Sequence, residues 1–139
     1  MVTIDAKDAV VGRLGARVAK LLLSKQPVEI INADKAIFVG SLSAATEKHA
    51  SRRGQQNKRN PEESPYWPRV PGMLLRRMIR GMLPWKSQRG RDAYKLLKVK
   101  CSVPEGTKAQ KIPEASSSEK HGTYTLAELC TSLGREYKE

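Results

Sequence analysis

The fold is decided by residues 2–24, which read VTIDAKDAVVGRLGARVAKLLLS. VTID is a short β-branched run, and the apolar residues after it recur at helical spacing. These residues are Val11, Leu14, Val18, Leu21 and Leu22. The other face of the predicted helix carries Arg13, Arg17 and Lys20, so one side is core and the other is basic. A strand that leads into an amphipathic helix predicts the opening of an α/β unit.

Further apolar runs of strand length follow at 28–31 and 36–39, and VKCSV at 99–103 is also strand-like. The first two are nearly continuous in apolar residues, which is typical of strands that are buried on both faces. Helical spacing returns at 73–82. The alternation of strands and helices predicts an α/β layer fold with a small, mainly parallel sheet.

Two stretches lack a regular pattern. Residues 54–72 are interrupted repeatedly by Gly, Pro and Asn and predict a long irregular arm. Residues 104–122 contain EASSSEKHG and predict a solvent-exposed linker. The chain is therefore expected to join its regular elements by one basic arm and one exposed linker.

Hydroxyl side chains mark the starts of three predicted helices. Ser41 or Ser43 is positioned to cap a helix after the third apolar run, and Ser87 a helix in the basic region. Thr125 and Glu128 have the spacing of a capping box, which predicts a closing helix near the end of the sequence. These positions predict where helices begin from neighbouring residues alone.

The positive charge is concentrated in residues 48–100, which hold fifteen Lys or Arg and three acids. Residues 1–47 hold six cations and five acids, and residues 101–139 hold five cations and six acids. The net charge of +12 therefore belongs to the middle stretch. At 139 residues and 39% hydrophobic, the chain has the size of one domain. We expect a single domain in which a near-neutral α/β core precedes a basic arm with helices, followed by a strand, the linker and the closing helix.

Such a charge distribution suits a protein that holds a polyanion, because each cation laid against a phosphate releases a condensed counterion. Nucleic acid is therefore the first hypothesis. The segment RRMIRGMLPWKSQRGR at 76–91 places six cations within sixteen residues, and five of them are arginines. Arginine suits a bidentate grip on phosphate. Tyr66, Trp67 and Trp85 are interleaved with the cations, and each could stack on an unpaired base or instead pack against the protein and support the loop.

The sequence contains few motifs that could support catalysis or cofactor binding. Gly12 and Gly15 follow a strand but lack the third glycine of a dinucleotide fingerprint, so we expect them to let the helix pack closely on the sheet. The two histidines, His49 and His121, lie in polar contexts away from both cysteines. We therefore expect no catalytic activity, no metal site, no cofactor and no small-molecule substrate.

The sequence also bears on where the protein is found. It contains no apolar run long enough to cross a bilayer and no pattern typical of a signal peptide, so we expect a cytoplasmic protein with no membrane partner. Cys101 and Cys130 stand apart without a CxxC motif and are interpreted as buried, reduced thiols.

Four strings resemble a known family, the universal large-subunit ribosomal protein number thirteen, in its archaeal and eukaryotic form. They are VVGRLGARVAKLLL at 10–23, IINADKAIFVG at 30–40, RRMIRGMLPWKSQRGRDAYKLLKV at 76–99 and TYTLAELCTSLG at 123–134. They cover roughly half of the chain in the expected order. The resemblance implies a three-layer α/β/α domain on a four-stranded parallel sheet. It also implies a structural and assembly component that binds large-subunit ribosomal RNA beside neighbouring ribosomal proteins in the large subunit.

The resemblance also selects residues. By position in the matching motif, the RNA-facing cations are Arg76, Arg77, Arg80, Lys86, Arg89 and Arg91, and Arg13 lies in the matching first helix. The rest of the basic stretch adds Arg52, Arg53, Lys58, Arg59 and Arg69 as candidates. Gly81 and Pro84 are expected to shape the turn between the two basic helices.

Two other classes of function remain open. The charge supports a basic DNA-binding or chromatin-like protein equally well, although no helix-turn-helix, zinc finger or zipper can be read in the sequence. A small nucleotide-dependent enzyme built on the strand–glycine–helix opening is the third hypothesis. Competition between duplex DNA and structured RNA, and titration with nucleotides, separate the three.

Overall fold

The computed structural model describes residues 1–102, 109–116 and 122–134. Its strands are β1 (Val2–Asp5), β2 (Val28–Ile31), β3 (Ile37–Val39), β4 (Leu97–Val99), β5 (Gln110–Lys111) and β6 (Thr123–Thr125). Its helices are α1 (Val11–Leu23), α2 (Leu42–Gly54), α3 (Pro71–Gly81), α4 (Gln88–Lys95) and α5 (Leu126–Ser132). The predicted opening, a strand followed by an amphipathic helix, is confirmed.

The larger sheet has the strand order β4–β2–β1–β5, and each neighbouring pair is parallel. Val28 in β2 lies opposite Val2 on one side and Leu97 on the other. Every residue of β2 is buried, so both faces of the sheet are covered at its centre. The fold is therefore a three-layer α/β arrangement around a four-stranded parallel sheet, as the resemblance implied.

The membership of that sheet differs from the sequence-based prediction. Residues 37–39 do form a strand, but β3 pairs antiparallel with β6 in a separate two-stranded sheet. The fourth strand is β5, which lies inside the stretch 104–122 that was predicted to be an exposed linker. Ala115 in the same stretch is fully buried, while residues 103–108 and 117–121 lie outside the described residues. The prediction of an exposed linker was wrong here. A two-residue strand and a single buried alanine are too short to produce a periodic pattern of apolar residues in the sequence.

Helix α1 packs on the sheet through Leu14, Val18 and Leu22, all of which are buried. Its glycines do not have the predicted role of bringing the helix close to the sheet. A Cβ on Gly15 would lie 2.6 Å from Sδ of Met82, and nothing lies within 4 Å of the corresponding position on Gly12. Because Gly15 has no side chain, Met82 at the end of α3 can lie close to α1. The close approach is therefore between α1 and α3 and not between α1 and the sheet.

A charged residue lies in the central strand pair of the sheet, in the core. Glu29 lies in the middle of β2 and is only 5% exposed, and its Oε1 accepts an ion-paired hydrogen bond from Nζ of Lys100 at 2.8 Å. A buried carboxylate is tolerable only with such a partner. Lys100 therefore serves the fold, although its position in the basic stretch gave no indication of this.

Two of the predicted caps are confirmed. Oγ of Ser87 accepts a hydrogen bond from the backbone nitrogen of Gly90 at 3.3 Å, and Thr125 and Glu128 form the capping box at the start of α5. Ser41 occupies the N-cap position of α2, but its hydroxyl bonds to Oγ of Ser43 rather than to the backbone of the helix.

The two cysteines have different environments. Cys130 is buried in the core, as predicted, whereas Cys101 is only partly buried. Within the ranges that the structure describes, no helix has both the length and the apolar character needed to span a membrane.

Candidate nucleic-acid interface

The basic region forms a corner made by α3, the turn at residues 82–87 and α4. Helix α3 begins at Pro71 and buries Leu74, Leu75 and Ile79 against the core. Because α-helical residues repeat every 3.6 positions, the same helix turns its arginines toward the outer side. These are Arg76, Arg77 and Arg80, each partly exposed, and they are joined across the corner by the exposed Lys86, Arg89 and Arg91. The motif therefore presents all six cations on or near the surface.

Two of these arginines lie against aromatic rings of the α4 segment. The guanidinium carbon of Arg76 lies 4.7 Å from the ring centre of Tyr94, and that of Arg80 lies 4.9 Å from Trp85. The two rings meet edge to face with centres 5.3 Å apart. This arrangement, the α4 aromatic pair, holds two cations from α3 at a set position relative to α4.

A second group forms around Trp67 in the arm. The guanidinium carbon of Arg77 lies 4.0 Å from the ring centre of Trp67, and that of Arg52 from α2 lies 4.9 Å from it. His49 meets the same ring edge-on, with centres 6.1 Å apart. The arm between α2 and α3 is thus anchored by one tryptophan, and the anchor brings together cations from both helices.

The electrostatics of the corner differ from those of an ordinary charged surface. In the described parts of the chain, the ion pairs are Lys95 with Asp92 and Lys100 with Glu29, and neither includes a candidate RNA-binding cation. Burial, and next the charge of Arg80, lower the pKa of Arg77, which nevertheless remains protonated at neutral pH. Aromatic faces orient a guanidinium without neutralising it, because they contribute about 0.5–1 kcal/mol each and carry no net charge.

The remaining candidates are placed as follows. Arg53 is partly buried and points Nη1 toward the carbonyl oxygen of Leu133, at 3.5 Å. Arg13 is exposed on α1, Lys58, Arg59 and Arg69 are exposed in the arm, and Arg52 joins the Trp67 group. In the described residues, no ring or ion-pair contact connects Arg13, Lys58 or Arg59 to the two arginine–aromatic groups.

The three aromatic candidates have different surroundings. Trp67 and Trp85 support arginines, which matches the alternative that they prop the protein, although Trp85 is still 41% exposed. Tyr66 is 79% exposed and leaves its ring open to solvent. Base stacking by any of the three stays a prediction.

Two residues of the region were not singled out from the sequence. Tyr94 is one of the two rings of the α4 aromatic pair and lies against Arg76. Its position next to the buried Ala93 was the sequence feature that could have indicated this role. His49 has polar neighbours in the sequence, but its side chain is buried and only 8% exposed. His121 lies outside the described residues, among which no group of three or more potential metal ligands is found.

We expect His49 to make stability depend on pH. Burial, followed by the charges of Arg52 and Lys48, lowers the pKa of His49 below its ordinary value of 6.5. The unfolded chain therefore binds more protons below about pH 6.5, and stability is lost as the pH falls from there through the folded-state pKa. Urea unfolding at pH 7.5 and 5.5 should show a larger loss for the native chain than for His49→Gln. His121 is present in both proteins, and equal losses would contradict the prediction.

Comparison with known proteins gives a consistent result. The family model described as ribosomal protein L13 matches residues 1–101. The large ribosomal subunit protein uL13 of Methanococcus maripaludis is 39% identical, with 99% of this chain and all of that protein covered. The protein of the same name from Archaeoglobus fulgidus is 40% identical, over 94% of this chain and 86% of its own length. The one from Methanococcoides burtonii is 43% identical, over 75% and 73% respectively.

Proposed function

The chain belongs to the ribosomal protein L13 family, and we propose that it is a structural constituent of the large ribosomal subunit. In this role it binds and stabilises large-subunit ribosomal RNA and supports assembly of the subunit, in the cytoplasm and beside neighbouring large-subunit proteins. The role needs no catalysis and no cofactor.

The observation that carries the RNA-binding proposal is the arginine-rich corner of α3 and α4. The three arginines of α3 are oriented by aromatic rings, and none of the six cations of the corner has a carboxylate partner among the described residues. Phosphates supply the missing negative charge, and each one bound releases counterions to the solvent. Neutralisation of this kind lets RNA segments approach one another, while the α/β core holds the cations at fixed spacing.

On this proposal, three parts of the single domain have different roles. Residues 1–47 supply the near-neutral core, residues 48–100 supply the RNA-binding arm and helices, and residues 101–139 close the fold. The RNA-binding cations on this proposal are Arg13, Arg52, Arg53, Lys58, Arg59, Arg69, Arg76, Arg77, Arg80, Lys86, Arg89 and Arg91. The corner from 76 to 91 makes the main contact because its cations are the most closely grouped.

The test is the salt dependence of binding to the large-subunit RNA of the same organism. If six to ten phosphates are neutralised, affinity should fall by about 10³- to 10⁵-fold between 50 and 200 mM salt. A flat plot of log affinity against log salt would contradict the proposal. Duplex DNA added as competitor should displace the protein poorly. Equal competition by DNA would favour a general DNA-binding protein instead.

A further inference from the structure

A cleft of about 500 Å³ opens beside the arginine-rich corner, between the β3–β6 sheet, α2 and the end of α3. Its volume falls within the range of about 300–1,000 Å³ that is usual for small-ligand sites. No pattern in the sequence predicts this cleft, and neither the corner nor the family match requires it. The residues of its walls determine which ligand it can recognise.

One wall of the cleft is an aromatic platform. Phe38 of β3 and Tyr124 of β6 are register partners, and their rings stack with centres 5.2 Å apart and planes 14° from parallel. Both side chains are half-buried and line the cleft. Flat apolar faces of this kind suit a planar, aromatic ligand group.

The rest of the lining is cationic. Lys48, Arg52 and Arg77 contribute to it, and none of the described residues that line the cleft is acidic. The ligand group that fits beside the platform is therefore an anion. A planar aromatic group joined to an anion is the chemistry of a nucleotide.

Two residues of the cleft lining, Arg77 and His49, carry polar nitrogens that form no hydrogen bond within the described residues. Nε of Arg77 is buried and unbonded. His49 is 92% buried, makes no hydrogen bond within the described residues, and lines the cleft. Its lowered pKa keeps the imidazole neutral at pH 7, so one ring nitrogen can donate and the other can accept. The imidazole of His49 can therefore form hydrogen bonds with a nucleotide in the cleft.

We propose that this cleft binds one unstacked nucleotide of the large-subunit RNA, with its base against Phe38 and Tyr124 and its phosphate beside Lys48 and Arg52. The inference rests on the proposed function, because RNA held at the corner of α3 and α4 brings nucleotides to the cleft mouth at high local concentration. The general arginine contacts hold the RNA backbone, whereas the cleft selects a single base that is free to leave its stack.

The experiment combines binding with chemical probing of the bases in the large-subunit RNA. The native protein should protect one unpaired base, and Tyr124→Leu should remove that protection and weaken binding by about 5- to 100-fold. Because the substituted group is uncharged, the salt slope should stay the same. Lys48→Gln, at an exposed position where folding is not at risk, should weaken the same protection, whereas Lys20→Gln on α1 should not.

The outcomes separate this inference from the proposed function. If the native protein shows no steep salt dependence, the proposed function fails. If the slope is steep but no base depends on Tyr124 and Lys48, only the cleft inference is overturned. A cross-link from the Tyr124 peptide to another ribosomal protein in the assembled subunit would also overturn it. Micromolar, saturable binding of adenosine monophosphate to the isolated protein would assign the cleft to a free nucleotide. It would overturn the inference that the bound nucleotide belongs to the large-subunit RNA.

Discussion

Replacing Arg76, Arg77 and Arg80 together with glutamine is expected to weaken binding to large-subunit RNA by about 1,000-fold or more at physiological salt. Each charge-assisted contact to a phosphate contributes about 1.5 kcal/mol or more, and three contacts are removed at once. The slope of log affinity against log salt should also become shallower by about 2 to 3, because roughly one counterion is released per phosphate neutralised.

The expected size of this effect follows from the way the arginines are held. The rings of Tyr94, Trp67 and Trp85 restrict their side chains before RNA arrives, so less rotamer freedom remains to be lost on binding. Glutamine keeps much of the length but loses the charge and the fork of donors. The fold itself should survive, since each cation–π contact contributes only about 0.5–1 kcal/mol.

A charge-matched control distinguishes the corner from a general effect of net charge. Lys7, Arg17 and Lys20 are exposed and lie outside the basic stretch. Changing these three to glutamine removes the same charge and should alter affinity by less than about tenfold, through long-range screening alone. Equal losses in the two triple variants would show that the corner has no special role. Urea unfolding of both variants checks that the fold is intact.

The second large effect is expected from Gly90→Ala, which should destabilise the protein by about 3 kcal/mol. Gly90 is buried in the first turn of α4, under the turn that follows α3. A Cβ at this position would overlap the carbonyl oxygen of Pro84, lie 2.5 Å from its carbonyl carbon and 3.1 Å from its Cγ. Backbone atoms cannot swing aside as a flexible side chain can, so the turn and α4 must separate.

The expected loss of stability for Gly90→Ala is opposite in sign to the usual effect of this substitution in a helix. Glycine to alanine within a helix usually adds about 0.5–1 kcal/mol of stability. Gly12 in α1 supplies the matched control, because nothing lies within 4 Å of its Cβ position and Gly12→Ala should follow that rule. Melting temperatures measured together should fall by roughly 10 °C for Gly90→Ala and rise slightly for the control. A rise for both variants would mean that the turn accommodates a methyl group.

The same turn connects stability to the interface. Gly90 packs against the backbone of Pro84, so this contact holds the start of α4 close to the turn that carries Lys86. The resemblance assigned the shaping of this turn to Gly81 and Pro84. Gly81 is the last residue of α3 and has open space around its Cβ position, whereas the steric requirement falls on Gly90.

Much of the fold was predictable because its signals are local. The apolar spacing in α1, the hydroxyl of Ser87 and the capping box at Thr125 each depend on residues within about four positions of one another. The partner of β3 was not predictable in this way. Its antiparallel pairing with β6 depends on a segment more than eighty residues away, and a short apolar strand carries no information about its neighbour.

The sequence by itself determined the α/β class, the starts of α4 and α5, and the concentration of positive charge in residues 48–100, since periodicity, capping and net charge are properties of neighbouring residues. Only the tertiary structure decided that Trp67 from the arm would meet Arg77, and that β3 and β6 would form an aromatic platform beside them. The physical reason is that such contacts depend on how distant segments pack, and packing is selected by the shape of the whole core rather than by any one stretch of chain.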